Sequence, residues 1–147
     1  MTSKVAAGPA AGRASRPHRF RRLAVTGVVA TPAAMAATTL AAALARAAGV
    51  DFQIPDGGQA IPLGGFAVVT GFFSLVGVVI AAALLRWNAR PAERFVWMAA
   101  ALTALSMVPP WLVGATTATT VTLIGLHLIP AAVMIPAVAR SLRPRTD

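Results

Sequence analysis

Three long stretches of the sequence carry no Lys, Arg, Asp or Glu, and they restrict the fold more than any other feature. They cover residues 23–45, 57–85 and 95–139. About 18 uncharged apolar residues suffice to indicate a helix that crosses a bilayer. Hydrocarbon offers no partners for backbone N–H and C=O groups, so a spanning segment must satisfy its own. Because the stretches lack the alternation of barrel strands, we expect helices.

The third stretch is too long for one crossing. As a single helix it would extend about 68 Å, more than twice the hydrocarbon thickness. Gly114 and several threonines follow Pro109 and Pro110, residues that end helices, so the chain should reverse at 113–119. We therefore predict an all-α bundle of four transmembrane helices. They should cover residues 23–45, 61–85, 95–112 and 119–139, within a membrane domain of residues 23–140.

The composition excludes several classes of soluble protein. With 57% hydrophobic and 12% charged residues, the chain is too apolar for a water-soluble domain of its 147 residues. It has no cysteine, which excludes disulfides and thiolate metal sites. Its net charge of +9 would suggest a nucleic-acid partner in a soluble protein, but the basic residues lie beside the apolar stretches. The lipid bilayer is therefore the expected partner, and nucleic acid is not.

The positions of the basic residues predict the orientation, because Lys and Arg near spans stay on the cytoplasmic side. All but Arg46 precede helix one, join helices two and three, or follow helix four: Lys4, Arg13, Arg16, Arg19, Arg21, Arg22, Arg86, Arg90, Arg94, Arg140, Arg143 and Arg145. Both termini are thus predicted to be cytoplasmic. Trp87 and Trp97 flank the basic loop and Trp111 lies at the opposite end, as interfacial anchors should.

The two terminal segments are predicted to be basic cytoplasmic tails. Residues 1–22 have no apolar period and should be disordered, with their charges fixing orientation and attracting anionic lipid headgroups. Residues 141–147 form the second tail. A cleaved signal peptide ending in the small residues after helix one is the alternative, and it would leave three helices. The apolar stretch is longer than a typical signal core, which favours a retained helix.

His127 is the only ionisable side chain inside a predicted span, about 12 Å from the outer end of helix four. Intramembrane ionisable groups are functional candidates by default. One interpretation is a proton-accepting or metal-binding site; the other is a neutral imidazole bonded to Thr or Ser on a neighbouring helix. The second is favoured because no span supplies a carboxylate or a second histidine.

Asp51 and Asp56 lie together in the outer loop between helices one and two. A cation site is conceivable, but the spacing of a Ca²⁺ loop is absent and the segment around Asp56 is typical of a tight turn. No paired carboxylate or nucleophile motif occurs elsewhere. We therefore expect no cofactor, no metal and no enzymatic activity.

Small residues recur at four-residue spacing and predict close approach of helices. The pairs are Ala30 with Ala34, Ala67 with Gly71, and Gly77 with Ala81.

Three segments carry a resemblance to a known family. They read AAGVDFQIPDGGQAIPLGGF, RPAERF and LIGLHLIPAAVMIPAVARSLRP. The sequence resembles a family of small four-span membrane proteins of unknown function from actinobacteria, over about residues 23–142. The resemblance implies a four-helix protein of a bacterial cytoplasmic membrane, with Asp51, Phe52 and His127 at motif positions. It implies no activity.

Two functions follow as hypotheses. The first is a non-enzymatic helical bundle that acts by association, as a homo-oligomer or with a membrane partner protein. The second is a small transporter or channel subunit in which His127 lines a polar pathway.

Overall fold

The computed structural model describes residues 11–53, 60–112 and 114–144, with side chains from Arg16 onward. These residues form five helices and no strand. The helices are α1 Ala11–Ala47, α2 Leu63–Trp87, α3 Pro91–Ser106, α4 Pro109–Leu112 and α5 Thr117–Leu142.

Four helical segments are long and apolar enough to cross a membrane. They are Arg16–Ala47, Leu63–Trp87, Pro91–Leu112 and Thr117–Leu142, the third consisting of α3 followed by the short α4. The predicted all-α bundle of four helices is confirmed, and the chain is a multi-pass membrane protein. The third uncharged stretch does reverse, between Leu112 and Thr117, and Gly114 there adopts φ +64°. Four crossings put the first residues of α1 and the last residues of α5 on the same side.

The first helix begins earlier than predicted, because residues 11–22 were expected to be disordered and are helical instead. The expectation rested on composition alone, and tertiary contacts explain the helix from Arg19 onward. Leu23 is buried and Phe20 packs against the same core cluster. Arg19 and Arg22 donate hydrogen bonds to backbone carbonyls of α5. Residues 1–10 and 145–147 of the two predicted tails lie outside the described residues.

The bundle is organised around α1, which packs along both α2 and α5. The third span packs less closely, through α3 against α5 and α2. Two apolar clusters fill the interior. The one near the chain termini includes Leu23, Ala34, Ala81, Met134 and Val138. The one near the loop between α1 and α2 is formed by Ala42, Phe52, Leu123 and Leu126.

Small residues bring α1 and α2 together, as their spacing predicted. Ala30, Ala34 and Ala81 are buried. A Cβ at Gly71 would lie 2.9 Å from the Sδ of Met35, and one at Gly27 would lie 3.0 Å from Cγ2 of Val78. Gly77 differs, since a Cβ there would meet nothing within 4 Å. Of these glycines, Gly27 and Gly71 therefore lie at the contact between α1 and α2, and Gly77 does not.

Replacing Gly27 by Leu should separate α1 from α2. Val78 is β-branched and has little freedom to move away, so overpacking should lower the free energy of unfolding by about 1–3 kcal/mol. Gly77→Leu is the matched control and should have little effect. Reversible unfolding in mixed micelles measures both. Equal destabilisation by the two variants would contradict this packing.

Candidate functional site

The C-terminus of α1 turns the chain back toward the bundle. Gly49 adopts φ +96°, its N–H donates to the carbonyl of Arg46 at 3.0 Å, and the N–H of Val50 donates to the carbonyl of Ala45 at 3.0 Å. These two bonds form a Schellman motif, which needs a left-handed residue at the position of Gly49. The motif places Asp51 and Phe52 directly after the helix.

Asp51 binds the first turn of α5. Its Oδ1 accepts a hydrogen bond from the hydroxyl of Thr119 at 3.2 Å and another from the N–H of Gln53 at 3.2 Å. Thr116 is the N-cap of α5: its hydroxyl oxygen accepts from the N–H of Thr119 at 3.2 Å, and the hydroxyl donates to Oγ1 of Thr119 at 3.1 Å. The carboxylate thus lies near the positive end of the α5 dipole, where negative charge is stabilising.

Phe52 anchors the same loop in the core. It is fully buried at φ +52°, a left-handed conformation that is uncommon for an aromatic residue. Its ring packs edge to face on Phe66, with centroids 5.1 Å apart. The guanidinium of Arg46 lies 5.9 Å from the ring centroid and donates to the carbonyl of Ile61 at 2.6 Å. The loop between α1 and α2 is thereby pinned on both sides of residues 54–59.

This cluster can hold negative charge at the beginning of α5. Both hydrogen bonds of Asp51 come from protein donors. Within residues 11–53, 60–112 and 114–144, no three His, Cys, Asp or Glu side chains lie close enough to share a metal ion. Asp56, the other half of the predicted acidic pair, lies outside the described residues.

His127 is half-buried in α5, and its Nδ1 lies 2.7 Å from the carbonyl oxygen of Leu123 on the same helix. A carbonyl only accepts, so Nδ1 is the donor in this contact. The partner is thus a backbone group of its own helix, whereas a Thr or Ser of a neighbouring helix was expected. His127 is about 12 Å along α5 from Thr119, so the fold does not bring it to Asp51.

The opposite end of α5 is bound by basic residues of α1. Nη2 of Arg19 donates to the carbonyl of Leu142, and Nη2 of Arg22 donates to the carbonyl of Arg140 at 3.3 Å. The last carbonyls of a helix lack partners within it and carry partial negative charge. Two guanidinium groups therefore cap the C-terminus of α5.

Other surface residues flank the spans. Trp87 ends α2, Trp97 lies in α3 and Trp111 in α4, and all three side chains are mostly exposed. Their role as interfacial anchors stays a prediction. Glu93 lies 3.6 Å from Arg90 in an exposed pair, which contributes little to stability.

The sequence matches the profile of a family of unknown function (DUF6069) over residues 18–144. The chain belongs to this family. The match begins at His18, five residues earlier than the expected resemblance, and so includes Arg19 and Arg22. No curated protein and no solved structure shows significant similarity to the chain.

The described residues also form an open groove between α3 and α5, with a volume of about 590 Å³. Small residues line much of it: Ala100, Thr103, Ala104, Ala131 and Ala132. The remaining lining is apolar and comes from Met107, Leu128, Ile135 and Pro136. A groove with such shallow walls allows a further helix to approach closely.

Sequence reasoning singled out Asp51, Phe52 and His127 but missed the partners that give Asp51 its surroundings. Thr116 and Thr119 were read only as part of a turn. The signal was present, since a Thr followed by a helix is a typical N-cap. The contact of Arg46 with Phe52 carried no such signal, because it depends on how the loop folds back.

The bond between Asp51 and Thr119 should be measurable as a coupling energy. Asp51→Ala and Thr119→Val should each lower the free energy of unfolding by about 1 kcal/mol, and the double variant by less than the sum. A double-mutant cycle of reversible unfolding measures the coupling. Glu93→Ala, which removes an exposed acid, is the control and should change stability by less than about 0.5 kcal/mol. Strict additivity of the two changes would show that the bond does not form.

Proposed function

We propose that the protein is a non-enzymatic helical bundle that acts by association in the membrane, and that its first partner is a second copy of the same chain. The observation that carries this proposal is the groove between α3 and α5. The third span, which borders the groove, is the least buried of the four. Of its most apolar segment 11% is buried, against 28% for α2. Lipid covers exposed apolar surface without cost, so exposure alone favours no partner.

Thr103 makes the groove more than a lipid-facing surface. Its hydroxyl makes no hydrogen bond within the described part of the chain, although Thr122 of α5 donates to the carbonyl of its own residue Ala118 at 2.7 Å. A hydroxyl in hydrocarbon gains from a partner on another helix. In a two-fold dimer the groove of each copy faces the same groove of the other, so Thr103 can meet Thr103 of the second copy.

We also propose that both termini are cytoplasmic and that the membrane is the cytoplasmic membrane of a bacterium. The support is the distribution of basic residues, since twelve of 13 lie at chain ends or in the α2–α3 connection. The bonds of Arg19 and Arg22 to α5 join the two terminal clusters at one end of the bundle. Anionic headgroups on the cytoplasmic leaflet would favour this orientation.

Self-association should depend on Thr103 and on the small residues of the groove. Thr103→Val keeps the shape, removes the hydroxyl and should weaken the dimer about threefold, the usual worth of one interhelical hydrogen bond. Ala104→Leu fills the groove and should abolish the dimer. Thr122→Val is the matched control, because that hydroxyl is satisfied within its own helix.

Single-molecule photobleaching of labelled protein in large vesicles measures the dimer fraction at several protein-to-lipid ratios. A wild-type chain that stays monomeric at every ratio would exclude the second copy as partner. Equal dimerisation of wild type and Ala104→Leu would show that the dimer interface lies on another face of the bundle.

A small transporter or channel subunit is the second candidate, favoured by buried polar groups near His127. The hydroxyls of Thr38 and Thr39 are buried and unpartnered within the described residues. Thr38 lies about 24 Å along α1 from Arg22, and His127 lies about 20 Å along α5 from Arg140. Since Arg22 contacts α5 at Arg140, Thr38 and His127 lie within about one helical turn of the same depth.

Flux measurements separate the two functions. If the bundle acts by association, proteoliposomes should show proton and cation flux no greater than that of empty liposomes, for wild type and His127→Ala alike. Flux that is present in wild type, lost in His127→Ala and kept in Thr122→Val would establish the transport function instead.

A further inference from the structure

We infer that the basic end of the bundle holds a phosphate-binding site between α1 and α5, and that its ligand is the headgroup of an anionic phospholipid. The inference rests on the membrane location of the chain and not on its self-association. It concerns four arginines, Arg19 and Arg22 of α1 and Arg140 and Arg143 at the end of α5.

The hydrogen bonds between α1 and α5 place these arginines together. Arg22 contacts the carbonyl of Arg140 and Arg19 contacts the carbonyl of Leu142, next to Arg143. Residues three apart share one face of a helix, so Arg19 and Arg22 approach α5 from the same side. Arg140 and Arg143 are both exposed. The side chains of these two residues donate no hydrogen bond within the part of the chain that the structure describes.

The charge of the cluster is not balanced within the described residues. The described acids are Asp51, at the other end of α5, and Glu93, which is paired with Arg90. The partial charge at the C-terminus of α5 is equivalent to about half of one negative charge. Four guanidinium groups around it leave a net positive charge that favours an anion.

Arg19 adds a donor that lacks an acceptor. Its Nε–H is buried and has no hydrogen-bond partner among the described residues, while Nη2 is used by Leu142. A buried donor of a cationic group is costly to leave unpaired. A phosphate group carries several acceptor oxygens and matches the planar guanidinium fork, so it can bind more than one of these arginines.

The depth of the cluster selects a lipid as the source of the phosphate. Arg22 directly precedes Leu23, where the uncharged stretch and the buried core begin. Guanidinium groups at this position lie at the level of the headgroups. Basic pockets between helices at the cytoplasmic surface are typical binding sites for anionic headgroups.

The test compares nanodiscs of pure phosphatidylcholine with nanodiscs of an equal mixture of phosphatidylcholine and phosphatidylglycerol. Phosphatidylglycerol should raise the thermal unfolding temperature of the wild type. The increase should be lost in Arg140→Gln/Arg143→Gln, which removes no internal hydrogen bond of the described chain. Arg86→Gln/Arg94→Gln removes the same charge from the α2–α3 region and should keep the increase.

Lipid retained in native mass spectrometry gives a second readout. Each basic residue near a membrane surface contributes enough that losing two should weaken retention of phosphatidylglycerol about thirtyfold. Arg19→Gln/Arg22→Gln should show the same loss, measured against its own unfolding temperature in phosphatidylcholine because it also uncaps α5.

Three outcomes would overturn the inference. An equal increase in all variants would mean diffuse attraction and no site. An absent increase in the wild type would mean no anion binding. An equal increase from inorganic phosphate in pure phosphatidylcholine would assign the site to free phosphate. None of these outcomes bears on the dimer fraction, so the two proposals can fail separately.

Discussion

The antiparallel pairing of α1 with α5 is the interaction on which the rest of the structure depends. Side chains near the beginning of α1 and in the loop after it bind both ends of α5. Arg19 and Arg22 meet the carbonyls at its C-terminus, and Asp51 meets its N-terminal turn. Each contact places a charge where it complements the helix dipole. The first and last spans thus close the bundle, and α2 is held against α1 by small residues.

The third span follows a different principle. α3 has few buried side chains and borders an open groove, which would be unfavourable in water. In a membrane lipid tails solvate such a surface as well as protein does, and loosely packed helices are tolerated. The length and apolar character of this span are therefore enough for its insertion. Its packing surface is not needed for stability and can bind a specific partner. This separation makes the α3–α5 groove, and not the core, the place where association is expected.

The number of helices and their approximate bounds could be predicted because the solvent dictates them: long uncharged stretches have no other stable form in hydrocarbon. The helical structure of Arg19 to Arg22 could not, because these residues bind carbonyls more than a hundred residues away. The hydrogen-bond partners of Asp51 could not be predicted for the same reason. Its bond to Thr119 joins residues that are distant in sequence, whereas the turn at Gly49 is local.

The polar groups of the described residues divide into those bonded within the chain and those that are not. Here Asp51 and His127 are separated along α5, and each is bonded to protein atoms. Three buried polar atoms of the described residues have no hydrogen-bond partner within the chain: the hydroxyls of Thr38 and Thr39, and Nε of Arg19. Such groups gain from a partner on a neighbouring helix or from a lipid headgroup.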